Sequence, residues 1–417
     1  MRARLPDVGA HGGILLVLTA QVFIIMLGLG LATPILPLYA QSFGLNAAAV
    51  GSLITVFGVA RILINIPAGH WSERFGRRKL LILGPLITAA GSFGFAAATS
   101  FPQLLVWRVL QGVGSAVLTT AAMVALADLS APGNRGRIMS LYQGSLLLGA
   151  GAGPALGGVI AGAWGFRAPF YIFGAFTLLG GVWAFYRIPE TRGLADADEP
   201  ARGDAPSAST RPVPSAALVP ASMWTMLGDV SFLLVSLVTL ATFFTRSGAQ
   251  MTLLPLLGHN ELGLSETAIG LVFTVIAVVN FATLYVAGSL SDRFGRKVVI
   301  VPSGILTAAA VGLYVYADTG ATFLAVSILL GIGTGLGGPA PAAYVADLVP
   351  AGMVGPAMGL YRTISDLGLV LGPVLLGAIV DAWGYDPAFA VNAALMLLST
   401  LLFAVAARET TGKNRRS

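Results

Sequence analysis

Gly69-His70-Trp71-Ser72-Glu73-Arg74-Phe75-Gly76-Arg77-Arg78-Lys79 interrupts long apolar sequence with five charges in seven residues. The pattern returns as Gly288-Ser289-Leu290-Ser291-Asp292-Arg293-Phe294-Gly295-Arg296-Lys297, at an offset of 219 residues. Working outward, the same offset pairs Gly51 with Gly270, Asp128 with Asp347, Tyr142 with Tyr361 and Gly153-Pro154 with Gly372-Pro373. It also pairs Trp164-Gly165 with Trp383-Gly384 and Glu190-Thr191 with Glu409-Thr410. One offset fits them all, so the two halves of the chain read as copies.

The composition says where such a chain resides. Of 417 residues, 56% are hydrophobic and only 10% charged, against about 25% charged in an ordinary soluble domain. The mean hydropathy is +0.84. A soluble enzyme and a disordered chain are both excluded, and a polytopic membrane protein remains. Cysteine is absent, so no disulfide framework or thiolate metal site is available.

A spanning helix needs about 20 mostly apolar residues. Twelve runs qualify, at 14–39, 48–71, 79–99, 104–127, 138–163, 168–187, 229–257, 267–290, 298–317, 323–346, 356–381 and 387–406. Barrel strands would be about half as long and alternating. The first run is too long for a signal peptide and no small-residue cleavage site follows, so it is expected to persist. With the N-terminus inside, nineteen of the 24 Lys and Arg fall on the cytoplasmic side and only Arg167 outside. This asymmetry predicts a cell-membrane protein with both termini cytoplasmic. It also accounts for the net charge of +6 without nucleic acid. Six prolines and mixed charges make 189–225 a flexible linker. The expected organisation is an N-terminal six-helix bundle, 1–188, the linker, and a C-terminal bundle, 226–417. A parallel six-plus-six repeat is the pattern of a transporter with a midplane site.

The two loop segments resemble the signature between helices 2 and 3, and helices 8 and 9, of the major facilitator superfamily. Arg108-Val109-Leu110-Gln111-Gly112-Val113-Gly114 resembles its helix 4 signature. Gly149-Ala150-Gly151-Ala152-Gly153-Pro154-Ala155-Leu156-Gly157-Gly158 resembles the helix 5 signature of twelve-helix drug–proton antiporters. The resemblance covers the chain from helix 1 to helix 12. It implies an all-α fold of two pseudo-symmetric six-helix bundles, and a secondary transporter rather than an enzyme. The first loop carries Glu73 where the family usually has Asp, while the second keeps Asp292.

The resemblance further implies a cytoplasmic gate in which the loop acid and third-position arginine meet an acid ending helix 4. Those residues are Gly69, Glu73, Arg77 and Asp128, and in the second copy Gly288, Asp292, Arg296 and Asp347. Gly69 and Gly288 are expected to admit a neighbouring helix, and Gly76 and Gly295 to permit a tight turn. In helix 5, Gly149, Gly153, Gly157 and Gly158 form a smooth face beside a kink at Pro154. That face suits either a rocking contact between the halves or ordinary helix packing.

A charge at a helix centre costs about 2.5–3.5 kcal/mol on insertion scales, so intramembrane charges read as functional. Four arginines lie within spans: Arg61, Arg108, Arg246 and Arg362. Asp366 is the one acid well inside a span. By the repeat, Arg61 aligns with Asn280, Arg108 with Ser327, Arg362 with Gln143 and Asp366 with Leu147, so the shared fold requires none of the four. Asp366 and Arg362 share a helix face. Asp366 is the expected protonation site, since a carboxylate's hold on a proton changes if a neighbouring guanidinium moves. The resemblance adds Arg108 to proton coupling. A static Arg362–Asp366 pair is the alternative. Arg61, Arg246, Gln143, Gln250, Asn280 and Tyr361 are expected to line a substrate cavity, with Gln21 and the phenylalanines of helices 1 and 7 as further candidates; for Arg61 and Arg246, attraction of an anionic cargo and pairing with Asp366 are both open. Many cation-selective drug exporters of the family it resembles carry an acid in helix 1; helix 1 here has none, so the resemblance disfavours a strictly cationic cargo.

The function expected is proton-driven efflux of small amphiphilic, drug-like molecules. The alternative is a facilitator of sugars or other metabolites, and a membrane receptor or enzyme is remote. The three histidines lie in the tail or near span ends, and no phosphate-binding loop is present. No cofactor, metal or nucleic acid is expected. The partners are the small-molecule cargo, protons and the bilayer, and the protein is expected to be a monomer.

Overall fold

The computed structural model of the chain describes residues 12–129, 135–190, 226–338, 340–349 and 354–410. The expected linker, apart from Pro189 and Glu190 at its start, lies outside them. Twelve helices are long and apolar enough to cross a membrane, and the described residues contain no strand. They are α1 (Gly12–Gln41), α2 (Ala47–Phe75), α3 (Arg77–Ala97), α4 (Phe101–Asp128), α5 (Arg135–Trp164) and α6 (Ala168–Arg187). The second set is α7 (Val230–Asn260), α8 (Glu266–Phe294), α9 (Lys297–Tyr316), α10 (Gly320–Leu348), α11 (Val354–Trp383) and α12 (Tyr385–Ala406).

Two of these depart from a plain helix. In α7, residues Thr245–Leu253 form a π-helical turn between two α-helical pieces. In α10, the helix stops at Gly337 and resumes at Ala340. Gly338 there has φ 33°, and Pro341 lacks the amide that would continue the ladder across the break. Elsewhere the helices outrun their apolar stretches. Ser72 to Arg74 stay helical although polar, and the turn comes only at Gly76.

The chain packs into two compact units. One comprises Met1–Leu36 and Val56–Asp204, the other Pro37–Thr55 and Ala205–Ser417. Each has its own core. Leu18, Val22, Ile25, Leu81, Leu118 and Ala121 centre the first. Phe232, Val235, Ile300, Tyr344, Met396 and Phe403 centre the second.

Glycine sets the closest helix approaches. A Cβ on Gly153 would lie 2.5 Å from the α-carbon of Gly30, and one on Gly157 2.3 Å from the Leu31 carbonyl oxygen. Gly149 meets Phe23 in the same way, at 2.6 Å. These positions seat α5 on α1 within one unit. Of the two uses the sequence allowed, the contacts these glycines make here are helix packing within that unit. In the second unit, Gly368 and Gly372 seat α11 on α7 against the Leu240 and Phe244 carbonyls, at 2.1 and 2.6 Å. A Cβ on Gly144, also on α5, would meet nothing within 4 Å among the described residues.

Gly153→Val pushes side-chain carbons into backbone that cannot yield, and overpacking costs about 1–3 kcal/mol. Its melting temperature in detergent is expected to fall well below that of Gly144→Ala, which should match the parent. Equal melting points for the two variants would contradict this packing.

Candidate functional site

The repeated loops build the same joint twice. After α2 the chain turns at Gly76, with φ 92°, a region side chains rarely adopt. A Cβ there would also lie 2.2 Å from Glu190 Oε2. Without it, the Glu190 carboxylate reaches the start of α3 and accepts the amides of Arg77 (2.9 Å) and Arg78 (3.3 Å). An anion at that position satisfies orphan donors and complements the helix dipole. The Arg77 side chain turns the other way. Its Nε donates to Asp128 Oδ2 at 2.8 Å and its Nη1 to the Ser72 carbonyl at 3.2 Å. The α2–α3 turn, the end of α4 and the residues after α6 are thereby tied together.

The second unit repeats each element. Gly295 has φ 107°, and Glu409 accepts the amides of Arg296 (3.1 Å) and Lys297 (3.2 Å). Arg296 Nε donates to Asp347 Oδ2 at 3.0 Å, and its Nη1 to Ser291 Oγ at 3.0 Å.

The two loop acids do not enter these joints alike. Glu73 is exposed and, among the described residues, pairs with neither Arg77 nor Asp128. The last turn of α2 faces Ser72 inward, which leaves Glu73 pointing outward. The Asp292 side chain lies outside the described residues. Nor does a helix press on Gly69 or Gly288: among the described residues nothing stands within 4 Å of a Cβ built there. The expected close approach at those two glycines is not seen among the described residues.

Among the intramembrane charges, the first unit gathers two arginines around one ring. Arg108, 7% exposed, sets its guanidinium 4.4 Å from the Phe57 ring centre, and Arg61 stands 5.8 Å from the same centre. Arg108 Nη1 also donates to Gln111 Oε1 at 2.8 Å, and Gln111 Nε2 donates to Ser92 Oγ at 3.2 Å. Cation–π contact of this kind partly compensates a desolvated guanidinium. Phe57 carries no signal in the sequence, although it stands one helical turn before Arg61.

In the second unit, Arg362 is exposed and makes no ion pair among the described residues, while Asp366 lies half-buried one turn further along α11. Arg246 is exposed and Gln250 half-buried on α7. Tyr361 is buried, and its hydroxyl meets Thr239 Oγ1 at 2.9 Å. It braces α11 on α7 rather than opening to solvent, contrary to expectation. Asn280 donates to Thr334 Oγ1 at 3.0 Å, joining α8 to α10. Gln21, also expected in a cavity, is buried and donates to the carbonyls of Leu81 and Gly180. The Gln143 side chain lies outside the described residues.

At the opposite end of the helices from the signature loops, residues 37–55 belong to the second unit. There Asp381, near the end of α11, accepts the first amides of α2, Ala47 (2.8 Å) and Ala48 (2.9 Å). Thr55 Oγ1 donates to the Val370 carbonyl at 2.6 Å. A Cβ on Gly51 would lie 2.3 Å from the Pro373 oxygen, and one on Gly377 2.5 Å from the Ala47 oxygen. Sequence offered one hint. Asp381 falls opposite Gly162 in the repeat, so only one half carries an acid there.

The duplicated bundle, the paired joints and the mid-span charges define a polytopic membrane transporter. The family model for the Major Facilitator Superfamily matches residues 18–257 and 235–417, and the chain belongs to that superfamily. It is 25% identical over 372 residues to "Multidrug resistance protein 2" of Bacillus subtilis (strain 168), covering 88% of this chain and 89% of the relative. It is 24% identical over 366 residues to "Quinolone resistance protein NorA" of Staphylococcus aureus (strain MRSA252), with coverage of 88% and 89%. Among solved structures, a bacterial homologue of the human lysosomal transporter Spinster superimposes with TM-score 0.77 at 18% identity, covering 94% of this chain and 96% of that one. The protein is thus a membrane-embedded carrier of small molecules and not an enzyme.

Two outcomes test the joints. In double-mutant cycles on melting temperature, Arg77 and Asp128 should couple by about 0.5–3 kcal/mol, while Arg77 and Glu73 should not couple. At the other end, Asp381→Ala should speed reaction of a cysteine placed at Ala48 with a soluble maleimide several-fold, because charged hydrogen bonds contribute about 1.5–3 kcal/mol. An unchanged rate would show that the α2–α11 contact holds without its carboxylate.

Proposed function

We propose that this protein exports small amphiphilic, drug-like molecules from the cytoplasm across the cell membrane by alternating access, in exchange for protons. Both termini and the two signature loops then face the cytoplasm, as the lysine and arginine distribution favours. The observation that carries the export reading is the alignment, over 88% of the chain, with relatives named for multidrug and quinolone resistance. The α5 sequence, whose glycines seat that helix on α1, points the same way.

Proton coupling rests on Asp366, the one carboxylate well inside a span. It stands one turn from Arg362, whose side chain is exposed in this structure. In the proposed cycle, a proton from outside neutralises Asp366 in one state. The approach of a guanidinium in the other state displaces that proton to the cytoplasm. Neutral and charged forms of Asp366 favour different arrangements of the bundles, which couples proton entry to cargo exit. The Arg77–Asp128 and Arg296–Asp347 joints hold the loop ends together in one state, and the Asp381 cap serves the opposite end.

Proteoliposomes with an imposed pH gradient, assayed with a panel of dyes and antibiotics, test the reading. Cargo should move against the proton flow, and Asp366→Asn should reduce gradient-driven transport to background while sparing exchange of cargo for cargo. Movement of cargo together with protons, or full gradient-driven activity in Asp366→Asn, would overturn it.

A further inference from the structure

We propose that Arg246, held out by the π-helical turn of α7, binds a carboxylate of the transported molecule. The cargo class is then carboxylate-bearing amphiphiles, anionic or zwitterionic. This rests on the transport reading above and narrows it.

The placement of Arg246 carries the argument. It lies midway along α7 (Val230–Asn260). Between Leu234 and Gly258 Arg246 alone is exposed, and all the remaining residues of that stretch are buried or half-buried. Protein covers every other residue of this stretch wholly or in part, so the guanidinium is the one group of mid-α7 left accessible. A charge at this depth is costly and persists for a use.

Apart from Arg362, which is also exposed and makes no ion pair among the described residues, the arginines in the spans and in the two signature joints have partners. Arg77 and Arg296 hold aspartates. Arg108 holds Gln111 and stacks on Phe57, and Arg61 approaches the same ring. Arg246 has no hydrogen bond, ion pair or ring contact among the described residues. None of its five N–H donors has a partner among the described residues.

The turn beneath it is built to hold it still. Thr245 Oγ1 donates to Asn392 Oδ1 at 2.9 Å, and Ser247 Oγ reaches the Gly368 carbonyl at 3.4 Å. A Cβ on Gly248 would lie 2.7 Å from the Gly372 oxygen. Thr252 Oγ1 donates to the Ser247 carbonyl at 2.8 Å, spanning the wide turn. Together these fasten the far side of α7 to α11 and α12 and brace the turn itself. The near side is left to Arg246 and to the half-buried Gln250, whose amide also has no partner among the described residues. Single π-turns inside α-helices are frequent at functional sites. The repeat agrees, because Leu27 stands at the matching offset and the fold itself asks for no charge here. A planar guanidinium fork matches a carboxylate in two parallel hydrogen bonds.

Dansyl-phenylalanine and its neutral amide make the test pair. They share an amphiphilic body, differ in the carboxylate, and report binding by fluorescence. Each is titrated into the purified full-length protein in detergent, without a pH gradient. The acid should bind the parent at least about tenfold more tightly than the amide, since charge-assisted hydrogen bonds are the strong ones. Arg246→Gln should bind the acid no more tightly than the amide, while its melting temperature in detergent matches that of the parent, which shows that the variant is folded. Arg246→Lys should restore part of the preference, because a single charge cannot make the paired contact. A parent protein without preference for the acid, including one that binds neither probe, overturns the assignment, as does Arg246→Gln that keeps the preference. The titration involves no proton flow. Failed proton coupling leaves it untouched, and intact coupling without acid preference removes this assignment alone.

Discussion

Backbone amides at a helix start have no partner in the helix. In this protein carboxylates meet that constraint. Glu190 closes the start of α3, Glu409 that of α9 and Asp381 that of α2. Asp229 does the same for α7, accepting the amides of Ser231 and Phe232. All but Asp229 come from a different helix or its flank, so each cap is also a tie between elements distant in sequence. The glycines follow from the caps. Gly76 and Gly295 sit where a Cβ would strike the incoming carboxylate, which explains why a turn residue and an acid more than a hundred positions away recur together.

The fold was legible because bilayer physics writes it in composition. Twelve apolar runs, a charge asymmetry and a single repeat offset lead to twelve helices in two cores. The offset even anticipates backbone detail: Gly44 and Gly263, Gly76 and Gly295, and Gly165 and Gly384 all have positive φ. What stayed hidden are features without periodicity. Nothing in Thr245–Leu253 announces a π-turn, because its residues suit an α-helix equally well. The repeated Glu190-Thr191 and Glu409-Thr410 were visible as copies, but their role depends on where the chain after α6 and α12 returns, which sequence spacing does not encode.

The candidate site divides along the same line. Arg77 with Asp128 and Arg296 with Asp347 come together as their motif implies. Glu73 fails to join because helix rotation, not loop proximity, decides which side of α2 faces the joint. Tyr361 and Gln21 were expected to line a cavity on the strength of polarity at mid-span. Both direct that polarity at neighbouring helices, since a buried hydroxyl or amide in a membrane helix needs a partner wherever it can reach one. Phe57 is the converse case. An apolar residue passes unnoticed in sequence, yet two guanidinium groups approach its ring.

Internal satisfaction of this kind separates the remaining polar groups from the rest. Where Gln21, Tyr361, Asn280 and Arg108 are each engaged by protein, Arg246 is left open on a turn whose other face is fixed. Asp366 belongs to α11, and α11 touches α7 at Gly368 and Gly372 with no glycine side chain to hold the backbones apart. Two helices in backbone contact do not slide past one another cheaply, because close-packed interiors shift between discrete arrangements rather than deform smoothly. On the proposed reading, cargo held by α7 and a proton held by α11 therefore act on one rigid pair. Their coupling then needs no chain of side chains running from one site to the other, only that each ligand favour a different position of that pair.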